Sequence, residues 1–505
     1  MRKTKLVRTM CLILAVVLCF GLTACGSSDT PTAEETTGGS DEVVTITYAF
    51  ATFTSVPADV TEVENVINAI TIPEIGVKVK LLPLSVANYS QQIALMISSN
   101  QDLDLIHSLS DMSQYAAKNQ IIPLDDLIQE YGQDILEIEP DFFLEAGKLN
   151  GKLYGVPFYM GKALSPVIIC RKDVLDELNI DPSSITSFSD LDGLYAQVQA
   201  AHPEMTMLAP LNQGDCGILY QMNKVDFLTD NFLSPTGVLM GDSTTVVNYY
   251  ATDEFKAAVE MAREFAQKGY ISADAATTTN LAATQLSVGA AFSTIGGYAG
   301  LMPESQFAPP ADGSLISIRL DEPTIATGGV NTLSRLIPIS CKHPEAAMKF
   351  LNLTYSNIDL ALALTMGVEG RDYLRLEDGT LVYPEGKNML TVDYNCTLSC
   401  VSSNQFVPGL EKIATNNAED MALQQEENKT AWRSQAFGFT FDTSPVKNQY
   451  SAVNNVINQY LPGLRTGALN PETELPKFLA ALEDAGINDI IAEKQAQLDA
   501  WLAAN

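Results

Sequence analysis

The sequence predicts an α/β protein made of two lobes, and three observations predict it. Between Val44 and Leu105 the apolar residues switch between a period of two and a helical period, in the order strand, helix, strand, helix, strand. After Gly155-Val156-Pro157 a second, separate series of strands and helices begins. The 505 residues are 46% hydrophobic, enough for large cores and more chain than one core usually organises.

Each element follows from its spacing. Val44, Ile46, Tyr48 and Phe50 alternate with polar or small residues, which makes a strand. Val60, Val63, Ile67 and Ile70 fall at helical spacing, closed by Pro73 and Gly76. Val77, Val79 and Leu81 give a second strand. Tyr89 to Ile97 is a helix, Leu103 and Leu105 a third strand, and Asp111 to Lys118 a further helix. Such an order builds a parallel sheet with right-handed crossovers, in which ligands sit beyond the carboxyl ends of the strands. Those ends are Phe50 to Phe53 and His107 to Ser110.

Lys148 to Gly155 reads as a tight hairpin, and Pro157 to Ser165 as the passage into the second lobe. That lobe continues with a strand at Val167 to Cys170, a helix near Leu191 to Ala201 and a strand at Met205 to Leu208. A long helix at Asp253 to Lys268 and a strand at Val288 to Phe292 follow. A strand at Leu333 to Ile339 and a helix at Ala346 to Tyr355 mark a return to the first lobe. Phe437, Phe439 and Phe441 alternate in an extended segment with the three rings on one face. Pro471 to Trp501 reads as amphipathic helices broken at Gly486.

The N-terminus has a different logic. Arg2, Lys3, Lys5 and Arg8 precede the apolar run Leu12 to Phe20, too short to span a bilayer permanently. Leu22-Thr23-Ala24-Cys25 then matches the lipobox of bacterial lipoprotein signals, with Cys25 as the lipidated residue. Gly26 to Asp41 is nearly devoid of apolar residues and reads as a tether. The expectation is a chain exported and held to the outer face of a membrane by lipid alone.

A formal charge of −31 excludes nucleic acid, whose binding rests on Lys and Arg, and favours a neutral ligand. Apart from Cys11, Cys19 and Cys25, the cysteines Cys170, Cys216, Cys341, Cys396 and Cys400 form no disulfide framework, though Cys396 and Cys400 are close enough in sequence to pair. The histidines are His107, His202 and His343, and no metal-ligand spacing is recognisable. No cofactor is expected.

Several segments together carry a resemblance: ANYSQQIALMISSNQDLDLIHS, GKLYGVPF, SVGAAFSTIGGY and ISCKHPEAAMKFLN. They resemble the extracellular solute-binding proteins of ABC importers, in the branch related to maltose-binding protein. GVEGRDY and the stretch from FGFTFDTSPVKNQY to AEKQAQLDAW look like the LipO-type solute-binding lipoproteins of Gram-positive bacteria. The resemblance implies a periplasmic-binding-protein-like (type II) clamshell with hinge crossovers. It implies capture of a solute, mostly carbohydrate in this family, and delivery to an ABC permease in the same membrane. Residues 1–24 are then the signal and 25–41 the tether. Lobe 1 is expected over 42–157 plus about 326–370, and lobe 2 over 158–325 plus about 371–505. A monomer is expected.

Candidate ligand contacts follow from these positions. Thr52 and Phe53 lie past the first strand, His107 and Ser108 past the third, and Phe158 and Tyr159 in the hinge. Tyr298 follows a strand of lobe 2, and Asn212 and Asp215 sit in the LNQGDCG loop. Trp432, in a polar stretch, suits a platform for a sugar ring, whose C–H face packs on an aromatic. Each has a plainer reading: His107 as a core residue, Asp215 beside Gly214 as a turn former. The alternatives in function are a lipid-anchored carbohydrate-active enzyme and a peptide binder. An enzyme would need paired carboxylates across the sugar, and Asp102/Asp104 and Asp125/Asp126 read instead as strand and helix-start residues.

Overall fold

A computed structural model describes residues 43–504 except 223, 230–233, 242, 301–313 and 400. The signal segment, Cys25, the tether and Cys400 lie outside the described residues; Cys396 has a free, buried thiol.

The strands that position the site are, in chain order, β1 (Val44–Thr52), β2 (Val77–Ser85), β3 (Ile106–His107), β4 (Val156–Pro157), β5 (Ser165–Arg171), β6 (Thr206–Leu208), β7 (Ala291–Tyr298), β8 (Leu315–Arg319) and β9 (Ser334–Leu336). β1 and β2 run parallel, with Val44 opposite Val77 and Thr52 opposite Ser85. A bridge from Tyr48 to Leu105 carries the arrangement on to β3, beside which β9 lies antiparallel, followed by β4. β1 is apolar on both faces because both are covered. Ile46, Tyr48 and Phe50 enter one core, while Ala49 and Ala51 face a smaller cluster with Tyr89, Ile93 and Ile97.

In the other sheet β7 lies antiparallel to β5 and parallel to β6, and β8 pairs antiparallel with β5. The expected strand at Val288 to Phe292 is displaced. Ala282–Ser287 is a helix, Gly289 (φ 71°) ends it in the left-handed region, and Val288 is 72% exposed. The strand therefore starts at Ala291 and takes Tyr298 as its last residue.

The helices α1 (Thr61–Ile75) and α2 (Tyr89–Ser98) cover the first sheet, and α1 buries Val63, Ile67 and Thr71 along one stripe. It runs through Pro73 and ends at Gly76 (φ 70°), whose N–H bonds the Ile72 carbonyl. In the other half α3 (Asp253–Gln267) starts on a Thr252 cap. Further on, α4 (Pro344–Leu353) packs on the first core. Three final helices, α5 (Lys447–Arg465), α6 (Pro471–Asp484) and α7 (Ile487–Ala504), press Val453, Leu464, Phe478, Leu482, Ile490 and Leu498 into the second core.

The two large cores partition the chain. One draws on residues 46 to 163 and 325 to 431, the other on 168 to 320 and 436 to 498. This differs from the expected limits, which sent everything after 370 to lobe 2. Tyr394, Cys396, Val401 and Phe406 bury their side chains in the first core, so the chain leaves it only after Ala431. The Phe437–Phe441 segment is likewise no strand. It turns, leaving Phe437 against Phe142 of the first core while Phe439 and Phe441 enter the second.

Candidate functional site

The chain passes between the cores at three points, and these lie side by side. Leu164 and Thr324 exchange backbone hydrogen bonds at 2.8 and 2.9 Å; the Ile325 N–H donates to the Trp432 carbonyl at 3.0 Å, and the Trp432 N–H to the Pro323 carbonyl at 3.3 Å. Short, paired connections of this kind serve as hinges between packed domains.

Trp432 stands on the third crossing and is 45% exposed. The Lys224 ammonium lies 5.3 Å from its ring centroid and pairs with Asp321 at 3.0 Å. A Cβ at Gly241 would come within 3.4 Å of the indole, so that edge of the ring is against backbone.

Beside the crossings the cores are pinned by buried polar groups. Asp226, fully buried beside the second core, accepts from Thr327 Oγ1 at 3.0 Å, the Thr327 N–H at 3.2 Å, Ser434 Oγ at 2.8 Å and the Leu228 N–H at 3.1 Å. Thr327 opens a short helix whose Val330 belongs to the first core. Burial pushes the Asp226 carboxyl up from its ordinary range, against those hydrogen bonds. From α7 the equally buried Lys494 donates to the Phe227 and Thr236 carbonyls, each at 2.8 Å, and burial lowers it to about 7. Arg319 and Glu427 form a second link at 2.7 Å.

The residues expected past the strand ends divide into two groups. Thr52, His107, Ser108, Phe158 and Tyr159 are all buried. Thr52 Oγ1 donates to the Leu84 carbonyl, and Ser108 Oγ accepts from the Ser334 N–H at 2.8 Å. His107 Nε2 accepts from the Ala51 N–H at 2.9 Å, and its ring stacks on Phe158 with centroids 5.7 Å apart. Tyr159 packs edge-on to Phe143 and Phe406. These side chains are packed inside the protein. Phe53, 44% exposed just past the end of β1, is on the surface, with Val56 and Val86 also exposed.

Arg335, which sequence reasoning missed, organises this layer. It is fully buried, with its guanidinium 3.9 Å from the Phe158 centroid and 5.1 Å from that of Tyr48. Nε donates to Ser403 Oγ at 3.0 Å and Nη2 to the Val401 carbonyl at 2.7 Å. Nη1 comes within 3.3 Å of His107 Nδ1. Burial first and this positive charge second hold the imidazole well below its usual pKa, so His107 is neutral. An arginine inside the mostly apolar Leu333 to Ile339 run was the available signal.

In the second half Tyr298 is half-buried, and burial raises its hydroxyl to about 12. Asn212 and Asp215 are not drawn to the crossings. They pair with each other through backbone, and Asp215 accepts from the Gly217 N–H at 2.9 Å and pairs with Arg465 of α5 at 3.2 Å. Among the described residues no cluster of His, Cys, Asp or Glu is placed to hold a metal, and no helix is long and apolar enough to cross a membrane.

Comparison with known proteins agrees with this architecture. Residues 67–366 match the family model described as bacterial extracellular solute-binding protein, and residues 435–503 match a domain of unknown function. A relative from Streptococcus pneumoniae serotype 4, named carbohydrate ABC transporter substrate-binding protein, is 24% identical over 96% of both chains. The crystal structure of the N-glycan transport solute binding protein of Streptococcus pneumoniae is similar over 91% of this chain and 99% of its own, with a TM-score of 0.76 and 22% identity. An HMO-binding solute-binding protein from Bifidobacterium longum infantis is similar over 92% and 99%, with a TM-score of 0.62 and 14% identity. The fold is the two-lobed type II arrangement of these structures, and the chain belongs to the bacterial extracellular solute-binding proteins.

Proposed function

We propose that this protein captures a neutral oligosaccharide between two lobes and delivers it to an ABC permease, while a lipid on Cys25 holds it to the outer face of the membrane. The observation that carries the reading is the hinge: two separate cores between which the chain passes at the paired crossings at Leu164, Thr324 and Trp432. Lobe 1 is then residues 43–163 with 325–431, and lobe 2 is 164–324 with 432–504.

A ligand that touches both lobes only when they are closed favours closure by its differential affinity alone. Phe53 on the rim of lobe 1, Trp432 on the hinge and Tyr298 at the end of β7 are the aromatic surfaces offered to sugar rings; His107, Phe158 and Arg335 hold the rim behind them. The relatives named above as carbohydrate or N-glycan binders support an oligosaccharide as the solute. The protein acts as a monomer and binds without turnover. A thermal-shift screen across oligosaccharides, oligopeptides and polyols tests the ligand class, since a ligand at about 100 times its Kd stabilises by about 2.7 kcal/mol. Stabilisation by peptides and by no sugar would overturn the carbohydrate reading.

A further inference from the structure

A cavity of about 360 Å³ lies away from the crossings, between α5 and the segment that carries Ser234 and Tyr250. Its described walls come from residues 234–250 and 450–465, on the side of the second core. That volume falls in the range of small-molecule pockets. Tyr250 and Tyr450 supply aromatic surface, and Asn454 and Asn458 follow Tyr450 at four-residue intervals along the same face of α5. Neither asparagine side chain makes a hydrogen bond with another described residue. Each amide therefore offers a donor and an acceptor to whatever enters.

The helix adds a further acceptor. Pro462 lies inside α5 and lines the cavity, and it has no N–H to give the Asn458 carbonyl four residues earlier. Among the described residues of the wall Arg465 is the only charged group, and it is committed: its guanidinium donates to the Gly214 carbonyl and pairs with Asp215 at 3.2 Å. That carboxylate cancels its charge, so the described wall offers an anion no free cation.

We infer that this cavity, between the start of the matched domain of unknown function and the Ser234–Tyr250 segment, is a second ligand site for one neutral, hydroxyl-rich ring of monosaccharide size. Hydroxyls bond the Asn454 and Asn458 amides and the Asn458 carbonyl, while the ring's C–H face lies on tyrosine. The site is independent of the interlobe reading, because no residue of the crossings or of the first core lines it.

Saturation-transfer difference NMR on the full chain with glucose, N-acetylglucosamine and glucuronate tests it. Transfer to the neutral sugars and weaker transfer to glucuronate are expected. The double variant Asn454→Ala, Asn458→Ala, on a solvent-facing stretch of helix, weakens the neutral sugars about tenfold, as expected for one or two lost hydrogen bonds. Pro462→Ala restores the helical bond to the Asn458 carbonyl, so it weakens binding without loss of thermal stability. Transfer that is absent for both neutral sugars, or undiminished in both variants, overturns the inference. So does transfer abolished by an oligosaccharide that compacts the lobes, because the sugars would then occupy the cleft.

Discussion

Thr327, next to the first core, gives both its hydroxyl and its backbone N–H to the Asp226 carboxylate, buried beside the second core. A buried carboxylate satisfied by donors from the other core resists any rearrangement that separates them, because an unmet buried charge costs far more than an exposed one. Asp226→Ala removes the acceptor of Thr327 and Ser434 and the nearby counter-charge of Lys494. The expected loss of stability is about 3–5 kcal/mol, read by urea unfolding. Thr327→Val removes one donor and keeps the shape, so a loss of about 1–3 kcal/mol is expected.

Glu139 gives the protein a pH dependence of its own. It is buried, its Oε2 lies 2.6 Å from the Tyr355 hydroxyl, and burial raises its pKa from 4.5 to about 8. The folded state thus holds a proton that the unfolded chain gives up above about pH 4.5. Stability from this group is full below that pH and is lost as pH rises toward 8, by up to about 5 kcal/mol. Glu139→Gln keeps a neutral side chain there and flattens the slope of unfolding free energy between pH 5 and 8, measured by denaturant titration at each pH. An unchanged slope would mean that another group titrates.

Arg335 and His107 are structural in this account. Arg335→Met is expected to cost about 3 kcal/mol or more, because Ser403, Val401 and the aromatic pair lose a shared, fully buried partner. His107→Phe frees the Ala51 N–H and costs about 1–3 kcal/mol. If either variant lost sugar affinity while keeping wild-type stability, the residue would be a ligand contact.

Trp432 and Trp501 are the two tryptophans, which makes emission a local probe. Oligosaccharide binding is expected to shift the emission of a Trp501→Phe variant and to leave that of Trp432→Phe unchanged. Trp432→Ala should weaken binding by about tenfold or more, as loss of one stacked ring predicts.

What the sequence made legible and what it hid have physical causes. The strands around Ile46 and Val79, the helix at Leu191–Ala201 and the break at Gly486 were readable because one periodicity governs each. The strand at Ala291 was misplaced because an apolar Ser-Val-Gly-Ala-Ala-Phe run hides a helix end, and Gly289 was its marker. The third crossing was put near 370 because the described residues of 371–416 hold short strands, single 3-10 turns and loops, with no periodicity to assign them to a lobe. Thr52 and His107, expected just past strands, are the last residues of β1 and β3, and the burial of His107 depends on Arg335 and Ser403, which arrive from distant sequence. The Asp226 network was invisible for the same reason: its partners lie 101 and 208 residues away.

Small-angle X-ray scattering of the full chain with and without oligosaccharides tests the central claim, a hinge closed by a carbohydrate. A smaller radius of gyration is expected with at least one oligosaccharide, and none of that compaction in Trp432→Ala at the same sugar concentration. Compaction with oligopeptides and with no sugar, or a scattering curve that no ligand changes, would contradict it.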